Sequence, residues 1–188
     1  MKNKIFLWPL SLAVIFFASF IIIFSPIRSK TIIKTPAVTP TPTNTKNYFD
    51  SVYKFGFSYP LTWQIYVNDQ PETFYLKTEN NNSVSFIITI NNSKTISDFL
   101  SLQDQISATA WEGQPSLQVQ STQKTVINGL NCIQRQEYLP AADLTNFATY
   151  FKNGNYFVRI SLSPVPGNDI SRDLTGYQSL LSSFYFRK

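Results

Sequence analysis

Residues 147–162 read FATYFKNGNYFVRISL, two apolar-rich runs on either side of Asn153-Gly154. Alternating runs of aromatic and β-branched residues bounded by such a pair are strand signals. An Asn-Gly pair suits a type I′ turn, which needs positive φ at both central residues. The stretch is therefore expected to form an antiparallel hairpin joining Phe147–Lys152 to Asn155–Leu162, with Gly154 at positive φ. A two-residue turn sets the register, so Phe151 faces Tyr156, Thr149 faces Val158 and Phe147 faces Ile160. That face is apolar and is assigned to the core. The opposite face pairs Tyr150 with Phe157 and Ala148 with Arg159. It is mixed, so it is either partly wet or covered by a helix. Tyr150 and Phe157 are the candidate binding residues, because aromatics anchor interfaces more often than other types. The competing reading is that a helix simply covers the pair.

The rest of the chain extends this pattern. Phe55, Phe57 and Tyr59 alternate with Gly56 and Ser58, and Pro60 ends that strand. Trp63, Ile65 and Val67 mark a second, with Trp63 expected in the core alongside Phe151. Thr73–Thr78 and Val84–Ile90 are joined by a turn at Asn80, Asn81 and Asn82. Asn128-Gly129 predicts another hairpin, from Lys124–Ile127 to Leu130–Gln134. Two segments have helical period instead. Ile96, Phe99, Leu100, Gln103 and Ile106 share one face of a helix over 95–107, with Ser97 as its N-cap. Ile170, Leu174, Tyr177, Leu181 and Phe184 form a stripe on a second, capped by Asn168 or Asp169. Gly176 inside it costs roughly 1 kcal/mol against alanine. Neighbouring strands without strict βαβ alternation predict an α+β fold with a mainly antiparallel β-sheet.

FGFSYPLTW at 55–63, the hairpin around Asn128-Gly129-Leu130 and the terminal LLSSFYF at 180–186 resemble the PsbP-like domains of bacterial exported proteins. The resemblance covers about residues 50–186, and its motifs are structural. It implies an antiparallel sheet with helices packed on its faces. It carries no photosynthetic function over, and the absence of histidine departs from any metal role of the photosynthetic members.

Ahead of this domain lies a segment of another kind. Ile5–Phe24 carries no charge and follows Lys2 and Lys4. As a helix at ~1.5 Å per residue it would span ~30 Å, a bilayer core. The run is longer than the core of a cleavable signal peptide, and Ser25-Pro26-Ile27-Arg28 supplies no small-residue cleavage site. A retained anchor is the expectation, with release by cleavage as the alternative. Residues 31–46, TIIKTPAVTPTPTNTK, favour extended polyproline II and serve as a spacer. The resulting layout is a cytoplasmic N-terminus at 1–4, a single-pass signal anchor at 5–24, a Thr/Pro-rich linker at 25–46 and an extracytoplasmic domain at 47–188. Lys and Arg on the two flanks of the apolar run nearly balance, so orientation rests on the charge-poor, Asn/Ser/Thr-rich composition that follows.

Charge and chemistry narrow the function. The net charge is +5, yet residues 1–46 hold Lys2, Lys4, Arg28, Lys30, Lys34 and Lys46 and no acid. The remainder has more acids than bases. A nucleic-acid-binding domain would carry its surplus on the folded part, so no nucleic acid is expected. The one cysteine, Cys132, lies in a strand and lacks histidine, its usual activating partner; it is assigned to packing. Asp169 and Asp173 read as a solvated helix start. Asn81-Asn82-Ser83 and Asn91-Asn92-Ser93 match the glycosylation sequon but read as turns. No catalytic, cofactor-binding or metal-ligating motif is present. The reading is a membrane-anchored, non-catalytic binding module, with the membrane as one partner and an envelope protein, a polymer or a small molecule as the other. The alternative is a cell-envelope enzyme using carboxylates and tyrosines.

Overall fold

A computed structural model describes residues 44–67, 72–108 and 115–188. The expected membrane helix at 5–24 and most of the linker lie outside these residues. No helix among the described residues is long and apolar enough to cross a membrane.

The element order is β1 Thr45–Asp50, β2 Phe55–Pro60, β3 Gln64–Val67, β4 Thr73–Lys77, β5 Ser83–Ile90, α1 Ile96–Ala108, β6 Gln118–Ile127, β7 Leu130–Leu139, β8 Leu144–Asn153, β9 Tyr156–Ser163, α2 Ser171–Ser183 and β10 Tyr185–Phe186. The strands form two sheets, β1-β2-β10 and β3-β4-β5-β9-β8-β7-β6. Every pairing is antiparallel. The α+β expectation therefore holds, with the strands divided between two sheets. Strand β1 takes in Thr45 and Lys46, which the sequence reading placed in the linker.

Alternation along the strands builds the main core. Phe74, Leu76, Phe86, Ile160, Leu162 and Phe151 point to one face of the seven-stranded sheet and are fully buried. Strand β2 and helix α2 cover that face. Phe57 stacks on Phe86 at 4.6 Å between ring centroids, and Phe74 on Phe86 at 4.4 Å. Burying one such ring contributes ~1.5–3 kcal/mol. Trp63 and Phe151 are buried as expected. Tyr177 on α2 donates to the Ile160 carbonyl at 2.8 Å and accepts from the Thr149 hydroxyl at 3.0 Å. The stripe Ile170, Leu174, Tyr177, Leu181 and Phe184 faces this core.

The start of α2 is also tied down. Asp173 is buried and accepts from Thr78 Oγ1 at 2.6 Å and Asn82 Nδ2 at 2.7 Å. It is not part of a solvated helix start. Asn82 in turn accepts from the Val165 amide at 2.7 Å. This neighbour of the sequon asparagine is thus a structural strut of the β4–β5 turn. The N-cap of α2 is Ile170 and not Asn168 or Asp169; Asp169, one residue earlier, accepts from the Ser171 amide through Oδ1 at 2.8 Å.

Three further expectations are corrected. Asn153 pairs with Tyr156, so the second hairpin turns at Gly154-Asn155. Only Gly154 has positive φ there, the pattern of a II′ turn with glycine first. The register therefore moves by two: Phe151 faces Val158, Thr149 faces Ile160 and Phe147 faces Leu162. An even shift preserves which side chains share a face, so the core assignment survives while Tyr150 comes opposite Arg159 instead of Phe157. At Asn128-Gly129 both residues have positive φ and the I′ turn forms as expected. Helix α1 is capped by Thr95, whose hydroxyl accepts from the Asp98 amide while Asp98 accepts from the Thr95 amide. Ser97 lies inside the helix. This reciprocal box satisfies two groups at once, which Ser97 cannot match. Ile106 ends up exposed, because only the first two turns of α1 rest on the sheet.

Candidate functional site: a cavity beneath helix α1

The outer face of the seven-stranded sheet carries the residues that alternate with the core set. On β9 these are Phe157, Arg159 and Ser161; on β8, Ala148 and Tyr150; on β7, Ile133, Arg135 and Glu137. The first two turns of α1 cover part of this face through Phe99 and Leu100. Phe99 stacks on Phe157 with centroids 4.3 Å apart. Farther along the helix, between α1 and the sheet, a cavity of about 190 Å³ remains. Its apolar wall is Ile87, Phe99, Leu117 and Phe157. Its polar wall is Gln103, Asp104, Arg135, Glu137, Tyr150 and Arg159.

The polar wall is one connected network. Glu137 is fully buried. Its Oε2 accepts from Arg159 Nη2 at 2.8 Å, and its Oε1 accepts from the Tyr150 hydroxyl at 2.5 Å. Arg159 donates its other nitrogens to Tyr150 at 3.1 Å and to Ser161 Oγ at 2.6 Å. Burial, with Glu137 adding to it and Arg159 opposing, pushes the Tyr150 phenol well above its ordinary range. It is therefore a neutral donor at pH 7. A buried carboxylate is tolerated when a charged partner and further hydrogen bonds replace its water, and Glu137 has both.

The second arginine is less completely served. Arg135 Nη2 donates to both oxygens of Asp104 on α1, at 2.7 and 2.9 Å. Its Nη1 lies 4.0 Å from Glu137 Oε1, too far for a good hydrogen bond. Its Nε is buried and has no partner. The Arg135 side chain is only 5% exposed, whereas that of Asp104 is 43% exposed. A second orphan lies close by: Asn146 Oδ1, on the residue paired with Glu137 across β7 and β8, is buried and unpartnered. Native structures leave few such groups.

Both residues expected to bind, Tyr150 and Phe157, line this cavity. They are not an exposed patch, being 5% and 1% exposed, nor are they cross-strand neighbours. Sequence reasoning missed Asp104, Arg135, Glu137 and Arg159, which belong to no motif. A signal was available: Arg159 interrupts the apolar run of β9, and Arg135 and Glu137 share one face of β7 in a chain where only 14% of residues are charged. Cys132 is buried on the opposite face, and burial pushes its thiol up to about 11, consistent with packing. Among the described residues no group of three or more His, Cys, Asp or Glu could hold a metal ion.

No family model matches the chain, and no curated protein matches it. Solved structures do. Cyanobacterial PsbP from Synechocystis superposes with a TM-score of 0.58 at 16% identity, covering 83% of this chain and 99% of that one. A protein of Bacteroides thetaiotaomicron superposes with a TM-score of 0.52 at 14% identity, covering 76% of this chain and 48% of that one. The chain has a PsbP-like fold, as the segments at 55–63 and 180–186 led us to expect.

Proposed function

We propose that the folded part of this chain is a non-catalytic binding module that takes a small molecule in the cavity beneath α1, and that residues 5–24 hold it at the outer face of a membrane. The cavity carries the reading. It joins an apolar wall to a few converging polar groups, the usual make-up of a ligand site, and one of its lining residues, Arg135, has a buried donor without a partner. Its size favours a small ligand over an envelope protein or polymer. An enzyme would be expected to use Glu137, Asp104 or Tyr150. Glu137 already accepts through both oxygens, Asp104 is held by Arg135, and Tyr150 is a tightly held phenol. These groups position one another more than they expose a reactive atom. For the anchor, the support is the uncharged run Ile5–Phe24 and the proline-threonine spacer after it. A tethered module gains effective concentration beside the membrane.

Two experiments test this. A fragment panel is titrated into the full-length chain in detergent, and amide shifts of the cavity residues are followed by NMR. Localised shifts are expected that disappear when the cavity is filled by Ser107→Trp, Ser107 being an α1 residue that lines it. Substrate turnover that is abolished by Glu137→Gln in a variant that still folds would replace the binding reading with the enzymatic one. Carbonate extraction should leave the full chain in the membrane pellet; a shortened soluble product would mean cleavage.

A further inference from the structure

We infer that Arg135 is the anchoring residue of the cavity, that the ligand is a small organic carboxylate with an apolar body about one ring in size, and that Asp104 occupies the ligand carboxylate's place in the empty protein. This rests on the cavity being a ligand site, as proposed above.

Three observations lead there. The first is the unused edge of the Arg135 guanidinium. Asp104 places both its oxygens on Nη2 alone, leaving Nε buried and unpartnered. A carboxylate spanning Nε and Nη2 would make the two parallel bonds for which the guanidinium is shaped. Asp104 does not make that arrangement.

The second is charge and exposure. Arg135 and Arg159 are balanced by Asp104 and Glu137, so the wall is neutral overall. Glu137 is locked in place by Arg159 and Tyr150. Asp104, with its side chain 43% exposed, is the one of the two acids that can turn into water and have its own charge solvated there. Its departure leaves one uncompensated positive charge on a deeply buried guanidinium, which a monoanion restores. A cationic ligand finds both acids already paired with arginine.

The third is size. A cavity of about 150 Å³ accommodates benzene, and this one has about 190 Å³. A single ring against Phe99, Phe157 and Leu117 leaves room for a carboxylate directed at Arg135.

The test uses phenylacetate, phenylacetamide, 2-phenylethylamine and inorganic phosphate as probes on the full-length chain. Calorimetry measures affinity, and NMR follows the Arg135 Nε–H signal. Phenylacetate should bind at least tenfold more tightly than the amide and should shift the Nε–H signal. Asp104→Asn should tighten phenylacetate binding severalfold by removing the internal competitor. Arg135→Gln should abolish it. If Arg135→Gln fails to fold, Asp104→Asn and the wild-type Nε–H shift decide. Equal binding of amide or amine would overturn the carboxylate assignment while leaving the cavity a ligand site. Phosphate binding as tightly as phenylacetate would reduce the site to a simple anion site and overturn the ring requirement. Weaker binding in Asp104→Asn would show that Asp104 helps the ligand instead of standing in for it. If neither these probes nor the fragment panel binds, both readings fall.

Discussion

Gly176→Ala separates local propensity from tertiary packing, because the two predict opposite signs. Gly176 lies inside α2, where alanine is favoured over glycine by ~1 kcal/mol. A helix considered alone would gain from the change. In the fold, however, a Cβ at this position would sit 2.6 Å from Trp63 Cζ2, 3.1 Å from Cη2 and 3.3 Å from Pro60 Cγ. Trp63 is buried in the core between these elements and has no free direction in which to retreat. Overpacking of this kind costs ~1–3 kcal/mol. After the propensity gain is subtracted, a net loss of up to about 2 kcal/mol is expected, equivalent to at most roughly 7 °C in Tm for a domain of this size. Urea and thermal unfolding of the two proteins provide the measurement. The cause is checked by combining Gly176→Ala with Trp63→Phe. If the indole creates the clash, the second change should make the first less costly, a coupling visible in a double-mutant cycle. Gly56→Ala is a useful contrast, since there the added carbon meets the ring end of Tyr185, which is half-exposed and can swing aside. An increase of about 1 kcal/mol in Gly176→Ala would refute the argument that α2 seats on Trp63.

Other outcomes follow from the polar wall and the buried phenols. Glu137→Gln leaves the largely buried Arg159 without its carboxylate partner and should cost ~3–5 kcal/mol, the usual penalty for breaking a buried ion pair; a loss below about 1 kcal/mol in urea denaturation would contradict that role. Adding Arg159→Met should recover part of the loss. Stability should fall at alkaline pH. Burial raises Cys132 to about 11, and burial followed by Asp50 raises Tyr48 to about 12. Burial also raises Tyr150 and Tyr177. These groups are neutral in the native protein, so the unfolded chain loses their protons first. Their contribution is intact below about pH 9, where the unfolded thiol begins to ionise, and is lost progressively as pH rises through the folded values. Equal urea midpoints at about pH 8 and pH 11 would disprove this. For the same reason native Cys132 should react with iodoacetamide near pH 8 far more slowly than the urea-unfolded chain does.

How much could be read in advance depended on how strongly each residue's neighbours constrain it. The strand around Val158, Ile160 and Leu162 was legible because one face is wholly buried and the alternation is clean. The first half of β6 was not, because Gln118–Gln123 lie on an exposed edge with neither face buried. The same holds for β1, whose Thr45 and Lys46 read as the end of a linker. Ser97 has the residue type of a cap for α1, whereas the reciprocal bonds of Thr95 and Asp98 decide the helix start. In the cavity, Tyr150 and Phe157 were legible as aromatics on a mixed face. Their charged neighbours were not, since Asp104 meets Arg135 across 31 positions of sequence.

The sequence by itself determined the periods, the turn residues and hence which side chains share a face. It therefore specified the α+β class, the core aromatics Trp63 and Phe151, and the uncharged run at 5–24. These are local properties, carried by φ preferences and by the alternation of apolar and polar side chains. Tertiary structure alone decided the hairpin register at Gly154-Asn155, since a shift by two leaves every face unchanged and the local pattern cannot distinguish the alternatives. It alone decided that Tyr150 and Phe157 are the walls of a cavity, since nothing in β8 or β9 specifies where α1 docks. And it alone placed Arg135 beneath that helix with one donor unpaired, because burial and pairing depend on residues that meet only when the chain has folded.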